Sequence, residues 1–316
     1  MNKPLRLGVF PIVYLYAHLF YEETMAIAKG NLYGGALIIL VAFMTTFSNT
    51  LTHALSKGFP TEEILFFKVA LGLCLICLLN LKNLKKLMRT DSVGWQSLKG
   101  LVGWIGNWFW IASLQVLPLA DATAISLTSA LFTTLGAVYF FSERVNRWVI
   151  LALSVGFLGV FFILCPSIKV FSIYAFFPLF SAIFLSASSL IVKKVSLNDS
   201  SYTTTFYLLF FMALFSAGPA LWNWQMPNGA DLIKLIGIGV LYVIGQVALI
   251  EAYTHATAGF LAPFKFVRFP LSVLSGLFIF GEYVTWQTLL GSGLIIASYY
   301  LVIRVKNDPA YFYMRR

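Results

Sequence analysis

The sequence predicts an all-α membrane protein with ten transmembrane helices in two inverted five-helix repeats. Three observations carry this: too few polar side chains for a water-facing surface, ten apolar stretches of bilayer-spanning length, and a motif recurring at a fixed offset. The 316-residue chain is 59% hydrophobic and 11% charged, against about 25% charged in soluble domains. That excludes a soluble enzyme, a disordered tail and, with only three Cys, a disulfide scaffold. The net charge of +10 does not argue for nucleic acid, because membrane proteins gather Lys and Arg on one side.

A membrane helix needs about 20 apolar residues. Windows 33–54, 100–120, 122–142, 148–168, 170–192, 200–222 and 283–303 carry no charge inside the membrane. Three further windows hold isolated ions: 61–81 with Lys68, 233–254 with Glu251, and 257–281 with Lys265 and Arg268. Pro118 and Asp121 divide 100–142 into two spans. Residues 1–32 form an N-terminal segment. Leu7–Tyr21 is too short to span and reads as an interfacial helix or as a start placed ahead of Met25, with a signal peptide as the competing reading. The remaining divisions are a first repeat over 33–168, a second over 169–304 and a tail over 305–316.

With the N-terminus inside, sixteen Lys and Arg fall in inner segments and three (Lys57, Lys169 and Lys234) in outer loops. The positive-inside rule therefore puts both termini in the cytoplasm of a multi-pass inner-membrane protein. Basic loops beside anionic lipid account for the charge. Phe141-Ser142-Glu143 follows the fourth span and Phe280-Gly281-Glu282 the ninth, 139 residues later. Gly106-Asn107 falls on Gly245-Gln246 at the same offset. Five spans per half is an odd number, so the second copy enters upside down, an arrangement common among transporters.

Taken together, these halves, each closed by aromatic-x-Glu after its fourth helix, resemble the drug/metabolite transporter superfamily with EamA-type repeats. Glu63-Ile64-Leu65-Phe66-Phe67-Lys68, Leu261-Ala262-Pro263-Phe264-Lys265-Phe266 and Ile191-Val192-Lys193-Lys194 are similar to family segments. Within the superfamily the chain looks closest to the S-adenosylmethionine uptake transporters. The resemblance implies import of that cofactor, with S-adenosylhomocysteine as an exchange partner. Ala130 replaces a common first-half Pro, and Arg268 stands where a neutral or acidic residue is expected.

An ion near the bilayer centre costs about 2.5–3.5 kcal/mol on insertion scales, so it normally faces protein or water. Lys68, Lys265 and Arg268 are such ions. Lys265 and Arg268 are three apart, hence on one helical face. A cavity holding an anionic group against these cations is one reading, and pairing with Glu63, Glu251 or Asp121 is the other. Asn49, His53, Asn107 and Gln246 are further substrate-binding candidates, with inter-helix hydrogen bonding as the alternative for each. Trp104, Trp108 and Tyr253 are candidates for stacking on a planar ring, though Trp also favours membrane interfaces. Glu251 is the candidate for ion coupling. Glu143 and Glu282 read as structural, bonding backbone amides where the next helix starts. Cys74 and Cys77 lie within an apolar helix and read as packing residues.

No catalytic set, metal-ligand spacing or cofactor motif is visible, so an intramembrane lipid-modifying enzyme is the weaker alternative. A channel would need continuous polar stripes, and these spans are too apolar. The expected function is secondary transport of a small molecule by alternating access, with lipid as the surroundings and no nucleic-acid partner. S-adenosylmethionine is the expected substrate. An amino acid, nucleotide-like compound or vitamin is the rival, since Lys265 and Arg268 would repel a sulfonium.

Overall fold

The computed structural model describes residues 10–141, 147–164, 176–195, 199–222, 224–255 and 264–306, and every regular element among them is helical. Helix α1 (Phe10–Ser56) runs unbroken for 47 residues. Its Thr45, Thr50 and Thr52 hydroxyls return to carbonyls one turn back, which keeps hydroxyls satisfied where water is scarce. Helix α2 (Thr61–Leu79) carries Glu62 and Glu63 in its first turn, at the positive end of its dipole. It bends by 77° into the short segment that includes α3 (Leu84–Leu87). Helix α4 (Val93–Val116) stops before Leu117-Pro118, and α5 (Leu119–Ser126) starts directly after the proline. The break expected at Pro118 is where the chain turns.

The next break is one the sequence reading does not anticipate. Residues 122–142 are not one helix: α5 ends at Ser126 and α6 (Ser129–Phe141) begins beyond a turn at Leu127-Thr128. Ser126 and Thr128 bond the carbonyls of Thr123 and Ile125, three residues back. Such local bonds compete with the helix ladder and tighten it toward 3₁₀ geometry. After α7 (Arg147–Leu164), α8 (Phe177–Val195), α9 (Ser201–Trp222) and α10 (Gly229–His255) comes a matching break. A turn at Phe266-Val267 precedes α11 (Arg268–Phe280). Helices α6 and α11 are each 13 residues long and begin 139 residues apart. Helix α12 (Trp286–Lys306) ends the described chain.

By length and composition, three helices among the described residues suffice to cross a membrane, or four if the bent pair beginning with α2 is one span. This is fewer than the ten expected. The turns that divide spans four and nine leave pieces such as Arg268–Phe280, which is apolar but shorter than a crossing. Polarity is inverted relative to a soluble protein. Gln96, Lys68, Lys99, Asn107 and Glu63 are buried, while Phe47, Leu79, Leu158, Phe278 and Leu290 face outward. An outward belt of this kind suits hydrocarbon rather than water.

Helix α1 packs on α10, α4 on α8 and α9, α2 on α9 and α10, α6 on α8, α11 on α1 and α5, and α7 on α12. One core cluster joins α2, α4, α9 and α10 through Leu65, Ile111, Leu209 and Ile238. A second joins α5, α7, α11 and α12 through Ile125, Val160, Phe269 and Ile295. Gly100, Gly103 and Gly106 admit Phe211, Leu208 and Leu185 against α4, the close approach that small residues permit. Where α7 crosses α12, a Cβ on Gly159 would lie 2.5 Å from the Gly291 carbonyl, and one on Gly291 equally close to that of Gly159. Gly159→Val and Gly291→Val are each expected to cost about 1–3 kcal/mol through overpacking. Gly293→Ala, which meets nothing within 4 Å, is the control. Melting temperature in detergent is the measurement, and only the first two variants should lower it.

Candidate functional site

The first junction lies where α1, α4, α5 and α11 meet. Gly281 ends α11 in the left-handed conformation (φ 67°), which glycine adopts without steric cost. Its N–H bonds Leu277 O, and that of Glu282 bonds Gly276 O. The reversal turns the Glu282 side chain back along the helix, where Gly276 leaves room for it. One carboxylate oxygen accepts the N–H of Leu119 at 2.9 Å, capping the positive end of α5. The other lies 2.8 Å from His53 Nε2. His53 Nδ1 in turn lies 2.7 Å from Leu114 O, at the end of α4. Glu282 thus meets a helix start as expected, but that of α5 in the first half rather than the next helix. Beside it, Thr288 donates to Asp121 at 2.6 Å.

The second centre is Lys68, 4% exposed. Its ammonium donates to Asn107 Oδ1 at 3.0 Å and stands 4.0 Å over the Tyr242 ring. Asn107 also donates to Gly103 O. No carboxylate among the described residues pairs with Lys68, so a cation is held by one amide and one aromatic face. Gln246 is half-buried one turn beyond Tyr242 on α10, and its side chain makes no hydrogen bond among the described residues. Tyr242 is the residue that sequence reasoning missed. Its spacing of four from Gln246 was the available signal.

The third centre is where the two interrupted helices meet. Arg268, the first residue of α11, donates from Nη2 to Ser126 Oγ at 2.6 Å, the last residue of α5. Its Nε is buried without a partner among the described residues. Half-buried Lys265 lies on the other side of the turn. The Phe266-Val267 turn between the two cations keeps right-handed helical angles at Val267 (φ −54°, ψ −27°) and is bridged by Val267 N–H to Phe264 O and Phe269 N–H to Phe266 O. Lys68 bonds Asn107 on α4 and Arg268 bonds Ser126 on α5, so these two cations have different polar partners.

A fourth polar cluster lies at the far end of α4. Lys99, 1% exposed, donates to Thr204 O at 3.0 Å, while Thr90 and Gln96 both donate to Asp199. It ties α4 to the segment entering α9.

The other candidates have separate surroundings. Asn49 accepts from Trp110 Nε1. Trp108 donates to Glu62 and packs near Phe177, while Trp104 packs against Phe215. Glu251 and His255 approach to 3.7 Å near the end of α10, both well exposed. Gln115 Nε2 is 3.4 Å from Phe59 O. The side chain of Tyr253 and residue Glu143 lie outside the described residues. Cys74 and Cys77 are free thiols. Among the described residues no group of three His, Cys, Asp or Glu is placed to hold a metal.

The EamA-like transporter family model matches residues 32–165 and again 172–304. A riboflavin transporter of Vibrio cholerae is 34% identical over 272 residues, 84% of this chain and 91% of that protein. A pseudopaline exporter of Pseudomonas aeruginosa is 30% identical, over 87% and 97% of the two chains. An S-adenosylmethionine uptake transporter of Rickettsia felis is 25% identical, over 87% and 94%. A solved crystal structure superposes with a TM-score of 0.63 at 15% identity, covering 89% of this chain and 99% of that one, a likeness of fold alone.

Because Lys68 has no acidic partner among the described residues, removing its charge orphans no carboxylate there. Lys68→Met is therefore expected to melt at the wild-type temperature or above, since an apolar side chain of similar length avoids the desolvation penalty. A fall of several degrees would show instead that Lys68 holds the bundle together.

Proposed function

This chain belongs to the EamA-like transporter family, and we propose on that footing that it is a secondary carrier whose two halves rock around a site at Lys68. It is a membrane transporter rather than an enzyme, as its relatives are. The helix pairings support the inverted-repeat reading. Counting α5 with α6 as the fourth span, exchanging spans one to five with six to ten maps the pairing of α1 with α10 onto that of α4 with α8. The α6–α8 contact likewise maps onto α11–α1, and α7–α12 onto itself. A swap of this kind is what alternating access requires. The distribution of Lys and Arg favours cytoplasmic termini, so the Glu282 junction faces outward and the Asp199 cluster inward.

Riboflavin or a related neutral heteroaromatic is the cargo best supported. The single observation that carries this is the buried Lys68 ammonium held by Asn107 and the Tyr242 ring, with no carboxylate partner among the described residues. Such a site offers donors to carbonyl acceptors and an aromatic face to a planar ring. A ligand of net positive charge would meet repulsion, which weighs against S-adenosylmethionine despite the Rickettsia relatives. Proteoliposomes containing the purified protein are expected to take up radiolabelled riboflavin and to ignore S-adenosylmethionine. Lys68→Met is expected to weaken riboflavin binding by about tenfold or more, the value of a hydrogen bond to a charged group. Uptake of S-adenosylmethionine alone would overturn the assignment.

A further inference from the structure

His53 has an acceptor at each ring nitrogen. A backbone carbonyl only accepts, so the 2.7 Å contact to Leu114 O requires a proton on Nδ1. The 2.8 Å contact between Nε2 and Glu282 Oε1 then needs a second proton, on either Nε2 or the carboxyl group. A neutral imidazole facing a carboxylate leaves one of the two contacts lone pair against lone pair. The arrangement therefore contains one proton more than neutral His53 with ionised Glu282, whichever atom carries it.

We infer that His53 and Glu282 form a proton-binding site assembled when the outer end of the transporter closes, and disassembled when it opens. The ligand is a single proton taken from the outer aqueous phase, to which Glu282 is open at 17% side-chain exposure while His53 is sealed at 3%. This rests on the carrier reading for the meaning of "outer". The pair spans the two halves: His53 comes from α1 and Glu282 from the end of α11. Separating the halves breaks both contacts to Glu282 and releases the proton. External protons thus compete with opening, and with the entry of cargo from that side.

Among the neighbouring charges of the described residues, Asp121 is the one that interacts with Glu282, and the others are engaged elsewhere. From α5, Asp121 is near enough to interact with Glu282 and is bound to Thr288 on α12. From α2, Glu62 is bound to Trp108 and Glu63 to the N–H of Gln225. Asp231 and Lys234, on α10, pair with each other at 3.0 Å. The outer end of α4 contributes Gln115 and no charge, and α11 sets only the Phe280 ring against His53, 4.6 Å away. Lys57, at the end of α1, is exposed to solvent.

The test reads closure directly. Spin labels are placed at Val116→Cys and Tyr283→Cys, both exposed and on opposite halves, with Cys74, Cys77 and Cys165 replaced by Ser. Inter-label distances are measured in the full-length protein between pH 5 and 9. The ratio of short to long distances is expected to fall about tenfold per pH unit above its midpoint, the signature of one linked proton. Glu282→Gln imitates the protonated acid and donates to neutral His53. It should hold the short distance at every pH, whereas Glu282→Ala should lose it at every pH. A wild-type ratio unchanged across the range, or a Glu282→Gln variant that titrates like wild type, overturns the proposal. Riboflavin counterflow on the same samples separates the two readings. Distances that titrate without counterflow remove the cargo and leave the proton site standing, and counterflow with distances blind to pH does the reverse.

Discussion

The carboxylate of Glu282 is the contact on which the arrangement of the two halves turns. A membrane offers no water to the first N–H groups of a helix, so each interruption needs a protein partner. Helix α5 is short and begins immediately after a proline, and its leading amide is met by an acid arriving from the other half. The same acid engages α1 through His53, which is itself anchored on the end of α4. Four helices are thereby referred to one side chain, and that side chain is aimed by a glycine reversal. A local backbone requirement at Gly281 propagates into the docking of two bundles.

The buried cations show how a protein tolerates charge in an apolar setting without neutralising it. Lys99 is sealed with a backbone carbonyl beside the cluster around Asp199, and it joins α4 to α9. Lys68 has only an amide oxygen and a ring face. Lys99 has the Asp199 carboxylate near by, whereas Lys68 has no carboxylate beside it among the described residues. A side chain left short in this way keeps unspent attraction for whatever enters. Arg268, with one bond to Ser126 and an unmet Nε, is intermediate between the two.

Much of this was legible in residues. The hydrocarbon-facing composition, the division at Pro118 and the recurrence at 139 residues need only counting, and the family match falls on both halves. The turns at Leu127-Thr128 and Phe266-Val267 were not legible, because neither contains Gly or Pro. Ser and Thr hydroxyls that redirect their own backbone leave no mark on a hydropathy window. The amide that donates to Glu282 lies elsewhere than expected for a different reason: helix order along the chain does not say which half a side chain reaches across to. Tyr242 was overlooked because one aromatic among 53 Phe, Tyr and Trp carries no signal until its neighbour is known.

The crossing of α7 with α12 has a mechanical consequence. Backbones that meet with no side chain between them resist both sliding and twisting, since any displacement drives main chain into main chain. Like the pairing of α1 with α10, this contact joins the two halves through uninterrupted helices. It acts as a keel: a rigid seam between the first half and the second, closed by main chain rather than by side chains.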